Sequence, residues 1–331
     1  MSTDTDAEDP DRVAIACQGG GSHTAFTAGV LGRLLRERED RSFEPVALSG
    51  TSGGAVCAAA AWYGLLDGDA ERAIETLEGV WRDMAARSLF DRMANEWTVR
   101  TAEIAERGWP VLEASPYDVP FTSVGRRRFL DTLESHIDFE RVPDLAADAD
   151  LDLIVGAADV TEGEFATFRN GEVTSKAVLA SAAIPTLFEA VEIDDHWYWD
   201  GLFSQNPPIR EFLEPRDLED KPDEIWIIQI NPRRRDEVPE SLEEIADRRN
   251  ELAGNLSLYQ EVDFIEQVNE WVEEGTLSGE YKPVDVEFIE MGGELSTSSK
   301  LDRDPEFIER LMQRGARRAE RFLDERAERR G

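Results

Sequence analysis

Residues 46–66 read VALSGTSGGAVCAAAAWYGLL and predict the centre of the fold. A short apolar strand runs into a glycine-rich turn, and an alanine-rich helix follows. The turn is a G-x-S-x-G motif made of Gly50, Thr51, Ser52, Gly53 and Gly54. A serine on so sharp a strand-to-helix turn needs small neighbours, because the backbone is strained and another segment passes close by. The motif predicts a nucleophilic Ser52 at a helix N-terminus, where a developing anion is stabilised; the alternative is a turn that only packs.

A second glycine-rich turn follows the first apolar strand, Val13–Cys17. It contains Gly19, Gly20 and Gly21. Consecutive glycines expose backbone N–H groups, and such a nest at the start of a helix binds an anion. We interpret it as an oxyanion hole for an acyl intermediate. A nucleotide phosphate site is the competing interpretation, although the lysine-bearing P-loop pattern is absent and Thr24 interrupts G-x-G-x-x-G.

A serine nucleophile needs a base, and the chain has three histidines, His23, His136 and His196. In α/β-hydrolases the histidine comes last in chain order, yet no histidine follows residue 196. His196 is the best of the three because it lies near the carboxylate at Asp200. Asp200 ends an aromatic stretch and precedes Gly201, so its carboxyl is a candidate for desolvation and raised basicity. A simple Asp-Gly turn is the alternative interpretation.

Together these residues resemble the patatin-like phospholipase family. The triple glycine, the Ser52 turn and Asp200-Gly201 occur in the family's order, and the likeness extends over about residues 13–232. The resemblance implies a three-layer α/β/α fold with a central, mostly parallel sheet. It also implies a Ser52–Asp200 dyad without histidine, an oxyanion hole at Gly19–Gly21, and hydrolysis of carboxylic esters without a metal or cofactor. We expect lipid acyl esters as the substrates, with a membrane surface as one place where the enzyme meets them and another ester as the alternative.

The rest of the chain fits this expectation, with strands alternating with helices. We expect a disordered acidic tail over 1–11 and one catalytic domain over 12–331, extended by long helices within about 242–329. Residues 91–125, with several tryptophans and prolines, are expected to be irregular. The last helix has an apolar stripe and many arginines; packing on the core is the preferred interpretation, and contact with anionic lipid is the alternative.

Composition limits the partners and the compartment. The formal net charge of −35 repels nucleic acid, so we exclude nucleic acid as a partner. The sequence does not indicate how many subunits the protein forms. Two cysteines form no disulfide framework, the N-terminus is unlike a secretory signal, and the longest apolar run, Ala55–Leu66, is too short to span a bilayer. We therefore expect a soluble cytoplasmic protein.

Three other functions stay open at this level. The first is the same enzyme class acting on another ester, such as a thioester or a stored polyester. The second is a catalytically silent fold that binds lipid or a partner protein. The third is nucleotide binding at Gly19–Gly21.

The acidic surface predicts a dependence of stability on salt. Like charges destabilise the compact state, and screening shortens their reach to ~3 Å at about 1 M salt. We expect the melting temperature to rise as KCl increases, as in a halophilic protein. Thermal melting across a KCl series measures this, and a midpoint that does not rise with salt contradicts it.

Overall fold

The computed structural model describes most of the 331-residue chain. The described residues are 9–109, 115–118, 122–214, 218–277, 279, 281–293 and 295–330. Residues 1–8 of the predicted acidic tail lie outside them, and a strand already begins at Asp11.

Eight strands and nine helices occur in the described part of the chain. The strands are β1 (Asp11–Cys17), β2 (Phe43–Thr51), β3 (Asp152–Asp159), β4 (Glu164–Arg169), β5 (Val191–Ile193), β6 (His196–Asp200), β7 (Glu224–Gln229) and β8 (Asp285–Glu290). The helices are α1 (Ala25–Glu37), α2 (Gly53–Asp67), α3 (Ala70–Met84), α4 (Leu89–Glu106), α5 (Thr122–His136), α6 (Val142–Ala146), α7 (Ser175–Ser181), α8 (Leu242–Glu273) and α9 (Pro305–Arg330).

The strands form one sheet in the order β5-β6-β3-β2-β1-β7-β8, with β4 also paired to β3. The five strands from β3 to β8 in this order are parallel to one another, whereas β4, β5 and β6 join by antiparallel pairing. The predicted mostly parallel sheet is therefore confirmed.

Alternation along β1 separates the two faces of the sheet. Val13 and Ile15 join a core with α1, α2, α3 and α9, whereas Ala14 and Ala16 face α8 through Leu258 and its neighbours. Helices thus cover both faces, which confirms the predicted α/β/α layering.

The last residues of β2 and β6 both pair with β3, at neighbouring positions. Gly156 pairs with Thr51 of β2 and with Thr167 of β4, while Ala157 pairs with Asp200 of β6 and again with β4. Because β4 pairs with residues 154–159 along one edge of β3, β2 and β6 share the other edge, end to end. The last residues of β2 and β6 therefore sit beside consecutive residues of β3.

Helices α1 and α9 cross at two glycines. A Cβ built on Gly29 would lie 1.9 Å from the carbonyl oxygen of Met312, and one on Gly315 would lie 2.0 Å from that of Phe26. The apolar stripe of α9 is buried at this crossing and on the sheet. Its arginines include Arg326, which donates to Glu224 at 2.8 Å. The interpretation that α9 packs on the core is confirmed.

The prediction of irregular structure over 91–125 is wrong for its first half. Ser88 accepts a hydrogen bond from the N–H of Asp91 and starts α4, which continues to Glu106. The prolines that suggested a loop all come after this helix, at 110, 116 and 120. Residues 110–114 and 119–121 lie outside the described residues.

Across the described ranges, no helix is both long enough and apolar enough to cross a bilayer.

The helix crossing predicts a sharp contrast between two glycines. Gly315→Ala should lower the free energy of unfolding by roughly 1–3 kcal/mol, because its methyl group meets backbone and forces α1 and α9 apart. Gly32→Ala, on α1, is the control: its nearest neighbour would be a side-chain atom of Ile74 at 4.0 Å. That change should be neutral or stabilising by up to about 1 kcal/mol. Urea unfolding of both variants measures the difference, and equal effects would contradict it.

Candidate active site

Ser52 occupies a strained turn between β2 and α2. Its backbone has φ 57° and ψ −129°, which is unfavourable for a residue with a side chain. The glycines around it are required by close contacts. A Cβ on Gly50 would lie 2.4 Å from the carbonyl oxygen of Gly54, and one on Gly54 would lie 2.1 Å from that of Cys17. The predicted strand-turn-helix context of Ser52 is therefore present.

Ser181 holds the backbone of this turn. The N–H of Ser52 donates to Ser181 Oγ at 2.9 Å, and that hydroxyl donates to the carbonyl oxygen of Gly156 at 2.6 Å. Ser52 precedes the first residue of α2, Ser181 is the last residue of α7, and Gly156 lies within β3. Ser181 thereby connects the turn to β3 and fixes the direction of the Ser52 side chain. The sequence did not single out Ser181, because a serine at the end of a short helix is a common feature.

Asp200 lies at the end of β6 and is completely buried. Its Oδ1 accepts the N–H of Leu202 at 2.9 Å, and the Ser52 hydroxyl is its side-chain hydrogen-bonding neighbour. Oδ2 has no partner of good geometry among the described residues. The Ser52 contact is therefore looser than an ordinary hydrogen bond, as is common before substrate binds.

Burial dominates the ionisation of Asp200. Loss of water raises its pKa to about 7, against the smaller lowering effects of the Ser52 hydroxyl and the Leu202 N–H. An ordinary aspartate has a pKa of about 3.9, so this carboxyl is partly protonated at neutral pH. A carboxylate with this pKa is basic enough to accept a proton from a hydroxyl in a transition state.

The glycine-rich turn lies directly against the Ser52 turn. A Cβ on Gly19 would lie 2.7 Å from Ser52 Cβ, so only a glycine fits there. The N–H of Gly19 is occupied, because it donates to Asn206 Oδ1 at 2.7 Å. The N–H groups of Gly20, Gly21 and Gly53 donate to no described protein group. These three N–H groups are therefore free to donate to a ligand, as far as the described residues show.

Buried amides hold the glycine-rich turn in place. Gln18 accepts the N–H groups of Ile230 and Asn231 at 2.9 and 2.7 Å, and it donates to the Asn206 carbonyl oxygen at 3.1 Å. Asn231 Nδ2 in turn donates to the Gly19 carbonyl oxygen at 2.8 Å. Sequence reasoning missed Asn206 and Asn231, because nothing near them in the chain indicates that they converge on the turn.

Each histidine is engaged away from Ser52. His23 contacts Ser299 Oγ at 2.7 Å, His136 contacts Asp83 Oδ2 at 2.9 Å, and His196 contacts Asp159 Oδ2 at 2.7 Å. Burial, followed by the charge of Lys300, lowers the pKa of His23 to about 3. None of these contacts brings an imidazole to the Ser52 hydroxyl.

Comparison with known proteins shows the family of the chain. The profile of the family described as patatin-like phospholipase matches residues 15–213. No curated protein matches the chain in sequence.

Two solved structures align with 96% of the chain at low identity. VipD from Legionella pneumophila has 14% identity and a TM-score of 0.45, with 67% of its chain covered. ExoU, in its heterodimeric complex with SpcU from Pseudomonas aeruginosa, has 13% identity and a TM-score of 0.38, with 52% covered. The present chain thus spans about half the length of ExoU.

The buried Asp200 predicts a stability that depends on pH. Its folded-state pKa of about 7 lies above the unfolded value, so the folded state loses stability as pH rises from about 4 to about 7. Asp200→Asn removes this ionisation. From pH 5 to pH 8, the stability of the variant relative to the native protein should increase by roughly 2–3 kcal/mol.

Urea unfolding at the two pH values measures this difference. Asp131→Asn is the control, because Asp131 is exposed on α5 and its change should stay within about 0.5 kcal/mol at both pH values. A pH-independent effect of Asp200→Asn would contradict the prediction.

Proposed function

The chain belongs to the patatin-like phospholipase family, and on this basis we propose that it is a serine hydrolase that cleaves carboxylic esters of lipids through a Ser52–Asp200 dyad. The observation that carries the proposal is a serine with a strained backbone whose hydroxyl neighbours a fully buried carboxyl with a pKa of about 7. A carboxyl that only terminated a turn would gain nothing from such costly burial.

The first step is acylation of Ser52. Asp200 removes the hydroxyl proton while Ser52 Oγ bonds to the ester carbonyl carbon, and the carbonyl π pair moves onto oxygen. The resulting tetrahedral oxyanion re-forms the carbonyl as the bond to the alkoxy group breaks. The protonated Asp200 gives its proton to the leaving alcohol, so the enzyme is acylated and the carboxylate is restored.

The oxyanion is stabilised by the free backbone donors. Gly20 and Gly21 provide two N–H groups, and Gly53 adds a third at the positive end of the α2 dipole. Gly19 has a different role. Its N–H donates to Asn206 Oδ1, and because it has no side chain, the glycine-rich turn can pack directly against Ser52. Gly19 therefore shapes the hole, and its two successors bind the anion.

Deacylation repeats the chemistry with water. Asp200 takes a proton from water as the hydroxide attacks the acyl carbon, and a second oxyanion forms at the same donors. When it collapses, the acid is released and Ser52 Oγ regains the proton from Asp200. These steps require protein groups alone. The single domain predicted over 12–331 holds every residue that they use.

Ser52→Ala and Asp200→Asn should each lower the rate of ester hydrolysis by roughly 10³–10⁶-fold, because nucleophile and base act as one unit. The kcat/KM of the native protein should rise with pH and level off above about 7, where Asp200 is ionised. His196→Ala is the control and should retain activity. Hydrolysis of p-nitrophenyl esters of increasing chain length measures these effects and the acyl preference.

Labelling with a fluorophosphonate probe, followed by peptide mapping, tests the nucleophile separately. Ser52 should carry the label, and Ser52→Ala should not react. Failure of the native protein to label and to hydrolyse any ester would favour a silent lipid-binding fold. Stabilisation by ATP or GTP would instead favour a nucleotide at the glycine-rich turn. Activity retained by Asp200→Asn and lost in His196→Ala would move the base to the histidine.

A further inference from the structure

An apolar cavity lies beside α8, on the sheet face opposite α1. Its volume is about 640 Å³. One wall consists of the apolar side chains Leu213, Phe264, Ile265 and Val268. Phe264 is 62% exposed although it is large and apolar, so part of this wall faces solvent. The cavity is therefore open to solvent and has room for a chain of several methylene groups.

The end of this cavity is polar and buried. Gln205 lines it with only 4% of its surface exposed, and its Nε2 donates to Glu211 Oε1 at 3.1 Å and to Glu261 Oε1 at 3.0 Å. Two buried hydrogen-bond acceptors remain without a partner among the described residues. One is Oε1 of the lining residue Gln205, and the other is Oε2 of Glu211, which contacts Gln205 but does not itself line the cavity. A buried acceptor without a donor is costly, so this end of the cavity fits a group rich in N–H or O–H donors.

The charge at this end is also uncompensated. Neither Glu211 nor Glu261 forms an ion pair with any described residue, although buried carboxylates are normally paired. Glu261 Oε2 accepts the backbone N–H groups of Ile209 and Arg210, at 3.4 and 3.2 Å. Burial, and then the nearby charge of Glu211, raises the pKa of Glu261. Gln205 Nε2 lies between the two carboxylates and donates to both, and a cation beside this cluster would offset their repulsion.

The basic residues that line the cavity do not supply that cation. Lys282 pairs with Asp223 at 2.8 Å, and Lys221 lies over the ring of Tyr281 at 5.5 Å. Arg210 has an exposed side chain and contacts Glu261 through its backbone. A positive charge that compensates these carboxylates would therefore have to come from outside the described chain.

We propose that this cavity binds a cationic amphiphile, a primary ammonium group joined to an alkyl chain. The ammonium carries three N–H donors and one positive charge. The donors match the lining groups Gln205 Oε1 and the Glu261 carboxylate, and the positive charge also offsets the carboxylate of Glu211 beside Gln205. The alkyl chain lies along the wall formed by Leu213, Phe264, Ile265 and Val268. The site does not use Ser52, so it extends beyond the proposed hydrolase activity.

Isothermal titration of the full chain with hexylammonium chloride in 1 M KCl, about the level where surface charge is screened, tests the proposal. We expect saturable binding of one hexylammonium per chain. Glu211→Gln and Glu261→Gln should each weaken it at least about tenfold, since each removes one charge-assisted partner. Glu266→Gln is the matched control, because Glu266 is exposed on the same helix and should leave affinity unchanged.

Comparison ligands separate the two parts of the recognition. Methylammonium should bind much more weakly than hexylammonium, and hexan-1-ol and hexanoate should not compete with it. Phe264→Ala changes an exposed side chain, so the variant should fold and lose affinity for hexylammonium. Equal affinity in native protein, Glu211→Gln and Glu261→Gln would overturn the proposal, as would equal affinity for methylammonium or for hexanoate.

Ser52→Ala should bind hexylammonium as the native protein does. If the native protein binds hexylammonium but cleaves no ester, the proposal of this binding site stands and the proposal of a hydrolase is rejected. If the native protein hydrolyses esters but shows no saturable binding of hexylammonium, the proposal of a hydrolase stands and the proposal of this binding site is rejected.

Discussion

Exclusion of water from one carboxyl group is the condition on which the candidate site depends. Asp200 is fully buried, and this burial moves its pKa from the acidic range to about 7. In water the same group would be too weak a base to accept a hydroxyl proton efficiently. The burial costs folding free energy above pH 4, so the protein must recover that energy from its large apolar core elsewhere.

Close contacts between backbones provide the geometry around that carboxyl. Gly19, Gly50 and Gly54 sit where any side chain would collide with a neighbouring segment, and Ser181 and Asn206 hold the segments by hydrogen bonds. The strain at Ser52 is tolerated because both sides of its turn are fixed in this way. The N–H groups of Gly20, Gly21 and Gly53 have no partner among the described residues, and they are the donors of the proposed oxyanion hole.

Local signals in the sequence predicted a large part of this structure. The apolar strands, the alternation with helices, the Ser52 turn and the family were recognisable because each rests on neighbouring residues. Ser181, Asn206 and Asn231 were not recognisable, since their roles arise from contacts across much of the chain. The helix α4 was missed because the prolines and tryptophans around it outweighed the cap at Ser88. The cluster of Gln205, Glu211 and Glu261 likewise depends on α8 packing beside the loop after β6.

The end-to-end arrangement of β2 and β6 along β3 has a consequence for errors in folding. Successive residues of a strand face opposite sides, so a slip of β6 by one residue against Ala157 would turn Asp200 to the far side of the sheet. The misaligned molecule would keep its helices and most of its core, yet Ser52 would lack the base that we propose for it. Thermal stability alone would scarcely reveal such a species. The fraction of molecules able to react with a serine probe is thus a measure of correct strand registration as well as of chemistry.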